Sequence, residues 1–199
     1  MKAKTIAFFG IDGTGKTTLI NALRERLLKE GINSNFVYMG VAKNQRIPFL
    51  KNIMNLYSKI RWCKKGNRTT YSARRDTYRI RNFTWLSVYY LELWVKYLLS
   101  KKESKGRLIL FDRYFFDGLF FAEGKNFRFF KRLTPKPDIC FLLKVPAEII
   151  MQRKDEAKEE EIKRFYKKAK LISKYFPIRA LDNTRELNKV VDEIMVYIK

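Results

Sequence analysis

Histidine is absent from this 199-residue chain, and cysteine nearly so, with Cys63 and Cys140 alone. Imidazole acid–base chemistry and histidine-ligated metal sites are therefore excluded. Two such cysteines form neither a disulfide framework nor a zinc pattern, which fits a reducing, cytoplasmic compartment. Proline is also scarce, with five residues, and no linker, internal repeat or low-complexity tract is visible. One domain over residues 1–199 is expected, large enough to build a core without staples. No stretch is long and apolar enough to span a bilayer, since Phe83 to Leu99 is short and is interrupted by Glu92 and Lys96. No membrane partner is expected. The N-terminus enters an apolar strand almost at once and does not read as a signal peptide. Acidic residues are the remaining deficit: 20 Asp and Glu against 43 Lys and Arg leave a net charge of +23. Such a balance favours anionic ligands. Most of it reads as solvated surface, and nucleic acid is the less favoured partner because no DNA-reading module is recognisable.

Against these absences stands one dense stretch. The apolar run Ile6 to Phe9 leads into Gly10-Ile11-Asp12-Gly13-Thr14-Gly15-Lys16-Thr17-Thr18, which satisfies G-x-x-x-x-G-K-[ST]. Backbone N–H groups from Gly13 to Thr17 can turn inward on phosphate oxygens only if the loop is tightly curled, which glycine permits. A helix opening near Lys16 adds its positive end. Lys16 is suited to neutralise β and γ phosphates, and the Thr17 hydroxyl to bind Mg²⁺. Leu19, Ile20, Leu23, Leu27 and Leu28 then recur at helical spacing up to Gly31. The stretch predicts binding of a nucleoside triphosphate.

Further along, Asn35 to Met39 reads as a second strand and Phe49 to Ile60 as a helix. Lys59 to Arg81 is a basic stretch, either a solvated loop or a segment that closes over an anionic substrate. Phe83 to Lys101 is expected to be a long helix whose aromatics pack a core, with Glu92 either on the surface or in a pocket. Arg107 to Asp112 is a continuous apolar strand ending in a carboxylate, as in strands buried on both faces. Ligands of open parallel sheets bind beyond the carboxyl ends of the strands, which makes Asp112 the candidate acid for Mg²⁺. Ile139 to Lys144 gives a fourth strand, Glu148 to Lys174 a charged helix, Ile178 to Leu181 a fifth strand and Arg185 to Ile198 an amphipathic helix. Strands alternating with helices predict a five-stranded parallel sheet flanked by helices, a three-layer α/β sandwich.

Several pieces together resemble the thymidylate kinase family of P-loop nucleoside monophosphate kinases. They are Phe8 to Thr18, Phe111-Asp112-Arg113-Tyr114, Pro135 to Pro146, Gln152-Arg153-Lys154 and Leu181-Asp182-Asn183 before the terminal helix. The resemblance spans the chain and implies the P-loop kinase fold, with ATP as donor, Mg²⁺ as cofactor and the phosphate of dTMP as acceptor. It implies that Gly10, Gly13, Thr14, Gly15, Lys16, Thr17 and Thr18 hold ATP, with Asp12 near the acceptor sugar. It implies that Asp112 lies near the metal, that Arg113 grips the acceptor phosphate, and that the Asp182–Asn183 loop flanks adenine. Arg153 would face the transferring phosphoryl from a lid over about residues 150–165. A homodimer is common in such families.

The acceptor half departs from the family pattern. Phe9 stands where a Glu is usual, Arg46-Ile47-Pro48 is late and lacks its glycine, and Val88-Tyr89-Tyr90-Leu91-Glu92 carries no arginine. A kinase of this fold acting on another nucleotide, a nucleoside or a sugar is therefore the first alternative, and a nucleic-acid-binding P-loop ATPase the less favoured second. For a hydroxyl acceptor the proton-accepting candidates are Asp12, Asp112 and Glu92.

Overall fold

Strands β1 (Thr5–Phe9), β2 (Ser34–Tyr38), β3 (Leu108–Asp112), β4 (Ile139–Lys144) and β5 (Ile178–Asp182) form one sheet in the order β2-β3-β1-β4-β5. All neighbours are parallel, as expected from the alternation of strands and helices. The computed structural model describes residues 4–40, 83–154 and 158–198. The helix expected over 49–60 and the basic stretch 59–81 lie outside the described residues.

The central strands β1 and β3 are buried at every position, which is why they read as unbroken apolar runs. Period-two geometry still divides their side chains between two faces. Ile6, Phe8, Leu108, Leu110, Phe141 and Leu143 pack on one side against α1 (Lys16–Lys29) and α7 (Leu187–Ile198). Helix α1 contributes Leu19, Ile20, Leu23 and Leu27, and α7 contributes Val190, Val191, Ile194 and Ile198, each set forming one helical stripe. Ala7, Phe9, Ile109, Phe111, Cys140 and Leu142 face the opposite layer, which includes α2 (Phe83–Ser104). Each fully buried Leu, Ile or Phe side chain among these contributes about 1.5–3 kcal/mol.

Trp85, Tyr89 and Tyr90 of α2 are buried in that second core, so the aromatics of this helix do pack rather than form an exposed platform. Glu92 is not on the surface. It is 2% exposed and sits 3.6 Å from the buried ammonium of Lys96. Lys96 in turn donates to the Gly40 carbonyl at 2.9 Å, tying α2 to the chain leaving β2. A buried charge is tolerable only with such partners.

Two expectations need correction. The connection after β3 carries two helices that the sequence reading did not assign, α3 (Phe116–Phe121) and α4 (Gly124–Leu133). Helix α3 is too short to establish a period, but α4 had a signal: Phe127 and Phe130 form its buried face, and Lys131 and Arg132 fill its last turn. The charged helix expected from Glu148 to Lys174 is two helices, α5 (Ala147–Arg153) and α6 (Glu159–Ile172). Lys154 and Lys158 are both extended. Glu159, Glu160 and Glu161 occupy the first turn of α6, where carboxylates meet the positive end of the helix dipole. That acidic run marks a helix start, not a helix interior.

Candidate active site

The loop between β1 and α1 closes on itself through its own backbone. Gly13 and Gly15 have φ of 97° and 80°, a left-handed conformation that costs an L-residue about 1–2 kcal/mol. A Cβ at Gly15 would also sit 2.8 Å from the Asn183 amide nitrogen. Thr14 is fully buried, and its hydroxyl donates to the Ile11 carbonyl at 2.8 Å. Lys16 folds back across the loop and donates to the carbonyls of Gly10 at 2.9 Å and Ile11 at 2.8 Å, with Asp12 at 3.6 Å. Burial lowers the pKa of this ammonium, and Asp12 acts in the opposite direction. A nearly buried cation at a helix start draws an anion strongly, because little solvent screens it.

Strand order brings Asp112 to this loop. Adjacent β1 and β3 pair Phe8 with Asp112 in register, and Asp112 continues the parity of Leu108 and Leu110 toward α1. Its Oδ2 accepts a hydrogen bond from the Thr17 hydroxyl at 3.3 Å. Its Oδ1 is buried with no hydrogen-bond partner among the described residues. Burial raises the Asp112 pKa, opposed by Lys16, Arg113 and the Thr17 bond. A buried carboxyl oxygen left without a donor beside a threonine hydroxyl fits a cation site. Among the described residues no cluster of three metal-ligating side chains occurs. Thr17 and Asp112 could together hold a cation whose other ligands are phosphate oxygens and water.

Arg113 follows with φ of 66°, a strained value for a non-glycine residue. Its N–H donates to the Phe8 carbonyl at 3.0 Å, and this bond fixes the turn against β1. The guanidinium lies between two carboxylates: it bonds Asp12 through Nη2, and Asp117 through Nη1 at 2.9 Å. Asp117 is the larger cause of its raised pKa, with Asp12 adding to it.

These groups open onto one cavity of about 960 Å³. Asp12, Gly13, Gly15, Lys16, Thr17, Thr18, Asp112, Arg113, Arg153 and Asn183 all line it. Arg153, at the end of α5, donates to the Gly13 carbonyl at 3.3 Å. The Asn183 amide donates to the Thr14 carbonyl at 2.6 Å. Gly10 and Thr14 lie within the loop rather than on the cavity wall. Asp182 is also off the wall, its carboxylate accepting from the Thr184 N–H at 3.0 Å and the Thr184 hydroxyl at 2.7 Å. Sequence reasoning did not single out Phe36, Tyr38, Thr184, Arg185 or Leu187, which also line it. Phe36 and Tyr38 carried a signal, being two residues apart at the carboxyl end of a strand. Phe9, by contrast, is buried among Phe116, Phe120 and Phe165, with ring centroids 5.2–5.4 Å away.

Comparisons with known proteins place the chain as a whole. The thymidylate kinase family model matches residues 85–194. A probable thymidylate kinase from Saccharolobus solfataricus is 30% identical over 208 residues, covering 98% of this chain and 97% of that protein. Another, from Sulfurisphaera tokodaii, is 31% identical over 158 residues, covering 76% of this chain and 70% of that protein. Among solved structures, deoxyadenosine kinase from M. mycoides with dCMP and dCDP bound is similar in fold. Its TM-score is 0.55 at 17% identity, with 98% of both chains covered.

Proposed function

The chain belongs to the thymidylate kinase family, and from that premise we propose that it moves the γ-phosphoryl group of ATP onto the phosphate of dTMP, with Mg²⁺. One observation carries the reading: the phosphate loop and Arg113 face a single cavity, joined through Asp12. A donor triphosphate on the loop and an acceptor phosphate on Arg113 then lie next to each other. In-line transfer needs that proximity, which converts an encounter of two anions into a positioned step.

The chain's own residues supply the rest. N–H groups of the loop and the start of α1 orient the β and γ phosphates. Lys16 and Arg153 oppose charge as it spreads over the moving phosphoryl oxygens. Thr17 and Asp112 would hold Mg²⁺, which when bound neutralises phosphate charge and fixes its geometry. Arg113 would hold the acceptor phosphate by paired N–H bonds. A phosphate acceptor is already anionic near neutral pH, with a second pKa of about 6. No strong general base is needed, which suits a chain without histidine. The lid role of the segment around α5 and the start of α6, and the adenine-flanking role of Asn183, belong to the same proposal.

A different acceptor is the second reading, and Phe9 favours it. Where family members usually carry Glu, the side chain here is enclosed in an aromatic cluster and offers no polar group. An ADP-release screen over dTMP, dUMP, other monophosphates, nucleosides and sugars separates the two. Turnover with dTMP above the others supports the first reading. Response to nucleosides or sugars with none to any monophosphate replaces it.

A further inference from the structure

Resting on the phosphate-acceptor reading, we propose that Asp117 is a positioning residue that presents the Arg113 guanidinium to the acceptor phosphate. The two carboxylates on Arg113 differ in setting. Asp12 lies on the loop, is 35% exposed, and has Lys16 at 3.6 Å and Lys154 at 3.9 Å as further cationic neighbours. Asp117 is 17% exposed and sits in the first turn of α3, its own N–H bonded to the Tyr114 carbonyl at 3.1 Å. Immediately after it, Gly118 is pressed against α2 so closely that a Cβ would meet Tyr90 at 2.5 Å and Tyr89 at 3.1 Å. Helix α3 therefore has little room to shift, and Asp117 is fixed where Asp12 is not.

An incoming phosphate cannot share the guanidinium with both carboxylates, because like charges in contact repel strongly at low screening. Asp12 can turn to Lys16 or Lys154 and release Nη2. Asp117, which is not on the cavity wall, retains Nη1 and keeps the fork aimed across the cavity. Arginine has five N–H donors in a rigid plane, so fixing one edge orients the other for bidentate phosphate contact. The strained backbone at Arg113 points the same way, since strain persists only where surrounding contacts over-determine a geometry.

The test uses Asp117→Asn and Asp117→Ala in the full chain, alone and combined with Arg113→Ala. With dTMP as acceptor, Asp117→Ala is expected to raise the acceptor KM about tenfold or more, with a smaller effect on kcat and none on the KM for ATP. Asp117→Asn, which keeps the shape and one acceptor oxygen, should fall between it and the wild type. Inorganic phosphate titrated by calorimetry in the presence of ADP should follow the same order. In the Arg113→Ala background the Asp117 changes should have no further effect, because the residue acts only through that arginine. Additive losses in the double variant, an equal rise in the KM for ATP, or tighter phosphate binding without Asp117 would each overturn the assignment. A wild type that binds phosphate but is inert to every nucleoside monophosphate overturns the phosphate-acceptor reading and leaves calorimetry to decide Asp117. A wild type that does neither overturns both.

Discussion

The two halves of the cavity are built from different materials. The half proposed to take the donor is mostly backbone: a loop curled by Gly13 and Gly15, with Lys16 held on main-chain carbonyls. The half proposed to take the acceptor is mostly side chains drawn from distant segments, with Arg113 between Asp12 and Asp117, and Tyr38 on an edge strand. Backbone geometry needs only a few residue types at fixed spacing and is repeated wherever that spacing recurs. A side-chain constellation can be replaced piece by piece, and here several of its usual pieces are different. The difference explains why a donor can be named from a short motif while the acceptor needs the whole fold.

Lys16→Ala should produce the largest effect and strike the donor half alone. Turnover should drop by about a thousandfold, the scale of losing a charged group aimed at transition-state charge, while circular dichroism and melting temperature stay near wild type. Near-normal ADP release would break the assignment of this loop as the donor site. Next comes Arg113→Ala, which should cut acceptor kcat/KM by about tenfold to a hundredfold, the worth of charged hydrogen bonds, with little change in ATP saturation. Equal damage to both substrates would erase the distinction between the halves.

Gly15→Ala asks whether the donor half is truly a backbone device. Forcing a Cβ into a left-handed residue 2.8 Å from Asn183 should cost about 1–2 kcal/mol of stability, read by denaturant titration, and should weaken ATP more than the acceptor. The smallest effect should come from Asp138→Asn, which belongs to neither half. Desolvation works to raise the Asp138 pKa, but bonds from the Thr5 hydroxyl and the N–H groups of Lys4 and Thr5 outweigh it, and the net shift is downward. A lowered folded-state pKa gives stability that is present above the ordinary value of 3.8 and is lost as pH falls through the folded value. The variant should therefore be about 1 kcal/mol less stable at pH 7 after solvent screening. That deficit should shrink in strongly acidic solution, and kinetics toward both substrates should match wild type.

How much of this was legible depended on range. Gly10 to Thr18 could be proposed as a phosphate loop because that pattern is written in consecutive residues, and the central strands could be read because burial on both faces leaves apolar runs. Helix α3 left no periodic trace in six residues, and the division between α5 and α6 was signalled only by the acidic run at Glu159. Glu92 left two readings open, a surface residue or a pocket acid, because local sequence does not show burial. The fold buries it 3.6 Å from Lys96, one turn away.

By itself the sequence determined an all-parallel α/β sheet, a tightly curled glycine-rich loop at the end of its first strand, and a carboxylate at the end of another. These follow from local spacing, which fixes local backbone geometry whatever the rest of the chain does. Tertiary structure alone decided that β3 lies directly beside β1, so that Asp112 reaches Thr17 across 95 positions of sequence. It also decided that Phe9 turns into an aromatic core and that Arg113 is shared by Asp12 and Asp117. Such pairings depend on strand order, helix packing and the burial of particular side chains. Those are properties of the assembled interior, and no window of sequence contains them.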